Sequence, residues 1–317
     1  MALPLDAAGS DQAAELRAHL SDLISADDVT ILPRGGLRLR GWLLLPSEEA
    51  FAKAQERLRY RGLSLRLRRE QERDVMYILP ETPVRPSRLW VNWLLLGLTV
   101  PSVIFVAMPS LDMAGVLAAL PFAAALLSIL LAHELGHYFV GRRFGIPLTL
   151  PYFVPLPFSP FGTMGAVIRL KSAPPNRRSL LAMAVAGPLC GLVVALPLLV
   201  LGLSQSHIAP IPTHNAILEG NSLLYAAVKL VIFGRLLPGN GMDVNLHPVA
   251  FAAWAGIFVT GMNLIPAGQL DGGHIAYVLL GERRARQVTL GMAVVLAGLA
   301  VFVWPGWALL AALLFAL

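Results

Sequence analysis

The 317-residue chain is 56% hydrophobic and 14% charged, with a formal net charge of +6 and a mean hydropathy of +0.66. Soluble domains carry roughly 25% charged residues, so this composition points away from a soluble globular protein and toward lipid as the solvent. One cysteine, Cys190, excludes an intrachain disulfide framework and a cysteine-based zinc site; beside Gly191 in an apolar run it reads as a small packing residue.

Charge is unevenly placed. Residues 1–88 hold 14 Lys/Arg and 13 Asp/Glu, which leaves 11 basic and 6 acidic residues for the other 229. A water-soluble head therefore precedes a membrane body, with a small soluble α+β domain expected over 1–80, a linker over 81–88 and a membrane-embedded domain over 89–317. The first fifteen residues resemble neither a secretory signal nor an Arg-rich transit peptide.

In the head, an amphipathic helix near 11–24 leads to the strand "DDVTIL" and then to "GLRLRGWLLLP", where Leu37, Leu39 and Gly41 alternate with Arg38 and Arg40. Ser47 is placed to cap a helix running toward Gly62, and "LSLRLRR" and "DVMYILP" read as two more strands. Arginines on the strand faces raise nucleic acid as a partner. Their near balance by acids argues against it, because phosphate binding needs net positive charge; a solvated sheet face near a lipid surface is the expectation, with no nucleic-acid partner.

Five stretches beyond the linker approach the ~20 residues that cross a hydrocarbon core: 89–111, 113–141, 179–203, 247–266 and 288–317. Pro305 and Gly306 can break the last, so the fold expected is a polytopic α-helical membrane protein of about five to six transmembrane helices. Arg85 and Arg88, Arg142 and Arg143, Lys171, Arg177 and Arg178, and Arg283, Arg284 and Arg286 fall at alternate ends of these spans. The positive-inside rule makes those ends, and the head, cytoplasmic.

Residues 144–168 are uncharged and apolar but carry five prolines, which no spanning helix accommodates. With both ends on the cytoplasmic side, they are expected to form a re-entrant, strand-like loop.

The stretch "HELGH" follows twenty residues without a charged side chain. His133 and His137, four apart, share one helical face, and Glu134 lies about 100° around from His133. Two imidazoles at that spacing can bind one zinc while the intervening carboxylate accepts a proton from water. Ionisable groups inside a span are costly and mark function. A catalytic zinc wants a third protein ligand. Of the six acids after residue 88, Asp271 follows the fourth span back to the depth of the histidines; His274 is its rival. His207, His214 and His247 read as solvated histidines in or beside the opposite loop.

With "HELGH" and "NLIPAGQLDGG" (263–273) together, the sequence resembles the site-2 protease family of intramembrane zinc metalloproteases. Asn263, Pro266, Leu270, Asp271 and Gly272 match the second family signature, and "FGTMGAVIRLKS" with "AVAGPLCG" resembles the chloroplast and cyanobacterial branch. The resemblance covers residues 115–285 and implies hydrolysis of peptide bonds in transmembrane protein substrates within the bilayer. It implies one catalytic Zn2+ held by His133, His137 and Asp271, Glu134 as the general base, and Asn263 holding substrate backbone or the oxyanion. The edge of "FGTMGAVIRL", with Gly162, Gly165 and Val167, is a candidate surface for an extended substrate, or else a seal between zinc and lipid. Gly187 and Gly191 read as small residues for close helix packing. Without a transit peptide the expected compartment is a bacterial cytoplasmic membrane, and the oligomeric state is left open. Two rival readings are a catalytically silent membrane scaffold, against which an intact Glu134 and ligand set count, and a zinc or proton transporter, which would need polar groups along a path rather than at one depth.

Overall fold

The computed structural model describes residues 9–32, 35–80, 86–211, 219–303, 306–308 and 311–312, and the chain divides into two compact units, Met1–Val84 and Arg85–Leu317. Most of the expected linker, His214, and Pro305 of the expected helix break lie outside the described residues.

The first unit is built in the order α1 (Gly9–His19), β1 (Ile24–Leu32), β2 (Gly36–Leu43), α2 (Ser47–Arg59), β3 (Leu63–Glu70) and β4 (Arg73–Pro80). Its antiparallel sheet runs β1-β2-β4-β3. Period-two alternation puts Leu37, Leu39, Leu65, Met76 and Ile78 into one core with Leu16, Leu20, Ala54 and Leu58 of the helices. The alternate positions carry Arg38, Arg40, Arg66 and Arg68, and Arg38 lies 3.5 Å from Asp28 and 3.6 Å from Glu70. Two local expectations shift. α1 ends at His19 rather than near 24, because Leu23 and Ile24 already turn into the strand core. Ser47 is the first helical residue and Pro46 the cap, with no side-chain capping bond.

In the second unit, α3 (Leu89–Ala107), α4 (Met113–Arg143), α5 (Arg177–Ser204) and α9 (Glu282–Phe302) are long and apolar enough to cross a membrane. The helix α7 (Pro248–Asn263), where a fourth span was expected over 247–266, has 16 residues, and α6 (Leu223–Phe233) has 11. Trp90, Trp93 and Phe105 on α3, Leu189 and Val193 on α5, and Val301 and Phe302 on α9 are exposed. So much outward apolar surface suits lipid contact. α4 is the most enclosed of the four and packs mainly on α5 and α7. Its start is set by Asp112, which accepts a hydrogen bond from Gly115 N at 2.7 Å; that bond and one from the Ser110 hydroxyl hold the Asp112 carboxyl below the usual carboxylate range.

The proline-rich segment forms an antiparallel hairpin of β5 (Tyr152–Pro155) and β6 (Thr163–Val167), prolonged by a bridge between Leu148 and Leu170. Its tip reaches α3 at Ser102, whose hydroxyl donates to Gly162 O at 2.6 Å. That is about 20 Å along the helix from Leu89. Phe161 at the tip meets the rings of Phe251, Trp254 and Phe258 on α7 at 6.3–6.4 Å. A second two-stranded sheet, β7 (His207–Pro210) with β8 (Met242–Asn245), follows α5. Asp271 opens α8 (Asp271–Leu280).

Candidate metal centre

Apolar side chains fix the buried face of α4: Leu126, Ile129 and Leu130 lie on it, and one turn further His133, Glu134 and His137 are buried on that same side. The side chains of His133, His137 and Asp271 are the described His/Cys/Asp/Glu group able to hold one metal ion, with ligand atoms all within 4.8 Å. His133 Nε2 is 3.2 Å from Asp271 Oδ2, His137 Nε2 is 3.3 Å from the same oxygen, and the two Nε2 atoms are 3.1 Å apart. Ligand bonds of ~2.0–2.2 Å at tetrahedral angles set donor atoms about 3.3–3.5 Å apart, so the triangle fits three corners of a zinc site. His274 and Glu134 are outside that ligand group.

Tautomer and orientation support the same use. His137 Nδ1 donates to Met183 O of α5 at 2.7 Å; a carbonyl can only accept, so the neutral ring carries its proton on Nδ1 and turns the Nε2 lone pair to Asp271 and His133. Room for that ring comes from Gly187, where a Cβ would overlap His137 Nε2. At Gly191 a Cβ would stand 3.3 Å from His133 Cβ, and Gly136 faces Ala186 O and Cys190 Sγ. These glycines permit close helix packing, and Gly187 in addition makes space for a ligand, a role that small-residue spacing alone does not reveal.

Asp271 is delivered by a folded turn. α7 stops at Asn263, Gly268 adopts φ +57°, and Gly272 and Gly273 lie so close to the carbonyls of Leu264 and Gly268 that side chains there would collide with them. Thr289 of α9 accepts Gly268 N–H at 3.1 Å and donates to Ala285 O at 3.0 Å, bracing the turn from outside. Asn263 is half-buried, and its side chain makes no hydrogen bond among the described residues.

The hairpin approaches from the other side. The backbone of Ile168, just after β6, comes close to the buried Glu134 carboxylate. One edge of β6 pairs with β5, and no described strand pairs with the other. Val167 is exposed, and Gly165 has open space beside it at φ +104°. Gly162 differs from the expectation of an open approach: its missing Cβ is used by α3, whose Ser102 O and Val103 Cα would each lie 2.6 Å from one.

Residues 121–304 match Peptidase family M50. The chain belongs to that family. Among curated relatives, this M50 chain is 36% identical over 184 residues to "Probable zinc metalloprotease EGY2, chloroplastic" of Arabidopsis thaliana, covering 57% of this chain and 32% of the relative. It is 32% identical over 193 residues to "Probable zinc metalloprotease EGY1, chloroplastic" of the same plant, covering 59% and 34%. The chain thus spans about a third of the length of these relatives. The solved "Site-2 Protease from Methanocaldococcus jannaschii" aligns over 70% of this chain and 80% of that one, at 17% identity and a TM-score of 0.35, a likeness too slight to carry the fold.

Proposed function

We propose that this M50 chain is a zinc-dependent endopeptidase that hydrolyses peptide bonds in or near transmembrane segments of membrane-protein substrates. The observation that carries the reading is the buried His133, His137 and Asp271 triangle with Glu134 adjoining it in the helix. When bound, zinc supplies Lewis-acid polarisation of the scissile carbonyl and acidification of water. Glu134, buried but free of the ligand set, accepts the proton of the attacking water at its carboxylate and returns it to the leaving amine. The Asn263 amide, without a hydrogen bond among the described residues, is available to donate to a substrate carbonyl, where developing negative charge is stabilised.

A substrate helix must be unwound before its carbonyls are accessible, and the free edge of β6 offers main-chain groups for an extended segment to pair with, around Gly165 and Val167. The backbone of Ile168, at the end of this edge, lies close to Glu134. In this reading the hairpin is re-entrant, α7 joins the four long helices as a fifth, short span, and the arginine-rich helix ends face the cytoplasm together with the 1–80 domain, in a bacterial cytoplasmic membrane. The experiment is cleavage of a single-span model substrate by the reconstituted chain. Cleavage abolished by a zinc chelator and restored by zinc supports the proposal. Zinc flux without cleavage would favour a transporter, and substrate binding without cleavage a scaffold.

A further inference from the structure

A second polar constellation lies toward the opposite end of the bundle, near Phe122, which precedes His133 by about 16 Å along α4. Lys229 of α6 is fully buried there, with Nζ 3.2 Å from Asp243 Oδ1 and 3.7 Å from Glu219 Oε1. Tyr225 OH donates to Glu219 Oε1 at 2.8 Å, and Val244 N–H donates to Asp243 Oδ1 at 2.8 Å. Every one of these donors converges on a single oxygen of each carboxylate. The other two oxygens, Asp243 Oδ2 and Glu219 Oε2, receive no hydrogen bond from a described residue, although the side chains are only 10% and 8% exposed.

Buried charges are matched because an isolated one is costly. Here two carboxylates face one ammonium, and among the described residues no second cation pairs with them, so the excess negative charge opens onto the space beside them. Both carboxylates line a cavity of ≈ 520 Å³ whose walls include Pro160, Pro248, Phe122 and Phe251, the last two stacked at 5.6 Å. An anionic end with aromatic and proline walls suits a cationic head on an apolar stem: the charge meets the carboxylates and the ring faces, and the methylenes meet the walls. Lys229, beside both carboxylates, disfavours a metal ion at the same place. Pro160 brings the tip of the β5–β6 hairpin to this cavity, so one element touches both it and the metal centre.

We propose that this cavity takes an arginine or lysine side chain of the substrate, from the segment adjoining its membrane span at the end where α3 finishes. The cavity thereby selects substrates by a basic flanking residue and sets their position relative to the zinc. The identity of the occupant rests on the protease reading, whereas binding of the cation does not.

The test uses the full chain in nanodiscs and two fluorescent peptides, Phe-Leu-Arg-Leu-Phe and its citrulline counterpart, which has the same shape without the charge. Fluorescence anisotropy is expected to show the arginine peptide bound about tenfold or more tightly, the factor expected of a charge-assisted hydrogen bond. Glu219→Gln, which keeps the acceptor for Tyr225, erases the difference while zinc content and helical circular dichroism stay unchanged. Ala209→Trp fills the cavity without altering a charge, since Ala209 lines it, and weakens both peptides. Equal binding of the two peptides by the unmodified chain, or a preference that survives Glu219→Gln, overturns the proposal. Cleavage of single-span substrates with arginine or glutamine at the flank separates the two readings. Turnover without any arginine preference in binding sinks the cavity alone, and arginine binding without turnover of any substrate sinks the protease alone.

Discussion

Gly187 of α5 stands directly against the His137 imidazole of α4, so that a Cβ at 187 would overlap Nε2, the ring atom that faces Asp271. A third helix thus decides whether a histidine on α4 can reach a carboxylate on α8.

Gly187→Ala should therefore displace the ring and lower zinc affinity roughly 10–100-fold, the range typical of losing an orienting partner. Gly191→Ala meets a tight contact, 3.3 Å from His133 Cβ, that a shift of a few tenths of an ångström relieves, and should bind zinc more tightly than Gly187→Ala. Competition with a chromophoric zinc chelator measures both; equal affinities would show that the glycine at 187 serves packing alone.

A second expectation concerns Thr289, which lies outside the metal group but holds the Gly268 N–H of the turn leading to Asp271. Thr289→Val leaves that donor without its partner, a loss on the order of 1–3 kcal/mol if water does not replace it. The turn then loosens and zinc affinity falls, whereas Thr289→Ser retains the acceptor and the affinity. The same chelator competition reads it, and a valine variant with wild-type affinity would contradict the bracing role.

These relationships show what a sequence yields and what it withholds. The apolar run before "HELGH" and its (i, i+4) histidines made α4 legible because helical periodicity is local. Asp271 was legible because few acids follow residue 88 and topology sorts them by depth. Gly187 could be read only as a small residue, since the ring it accommodates lies fifty residues away in the chain. α6 escaped attention because an eleven-residue helix that includes Lys229 is too short to signal a span, and α7 ended three residues before Pro266, which shortened the expected fourth span. The β5–β6 pairing was signalled only as strand character, because prolines reveal what a segment cannot be more readily than what it pairs with.

Backbone direction sharpens the test of substrate presentation. Arg169 O accepts from Thr149 N, Lys171 N–H donates to Pro147 O, and Val167 lies opposite Tyr152. Alternate residues of a strand point the same way, so Ala166 turns outward with Ile168 and Val167 inward to the ladder. Ala166→Pro should keep the hairpin and zinc yet reduce cleavage of helical membrane substrates about tenfold or more, because it removes an outward donor from the free edge. Val167→Pro should disrupt the hairpin itself. Wild-type cleavage by Ala166→Pro would make the hairpin a seal rather than a substrate strand.

Asn263 is expected to act on the reaction and leave metal binding alone. Asn263→Ala should retain zinc and lower kcat by roughly 10²–10³, the range measured for loss of one oxyanion donor. An increase in KM with kcat unchanged would instead assign the amide to ground-state substrate binding.

The most direct measurement is bound zinc per chain, taken beside turnover of a single-span substrate, in the unmodified protein, Asp271→Ala, His274→Ala and Glu134→Gln. The account predicts about one zinc in the unmodified chain, loss of both zinc and turnover in Asp271→Ala, and retained zinc in His274→Ala. Glu134→Gln should keep its zinc while losing ~10²–10⁴-fold in turnover, because the amide cannot accept the proton. Full zinc in Asp271→Ala, or near-normal turnover in Glu134→Gln, would contradict it.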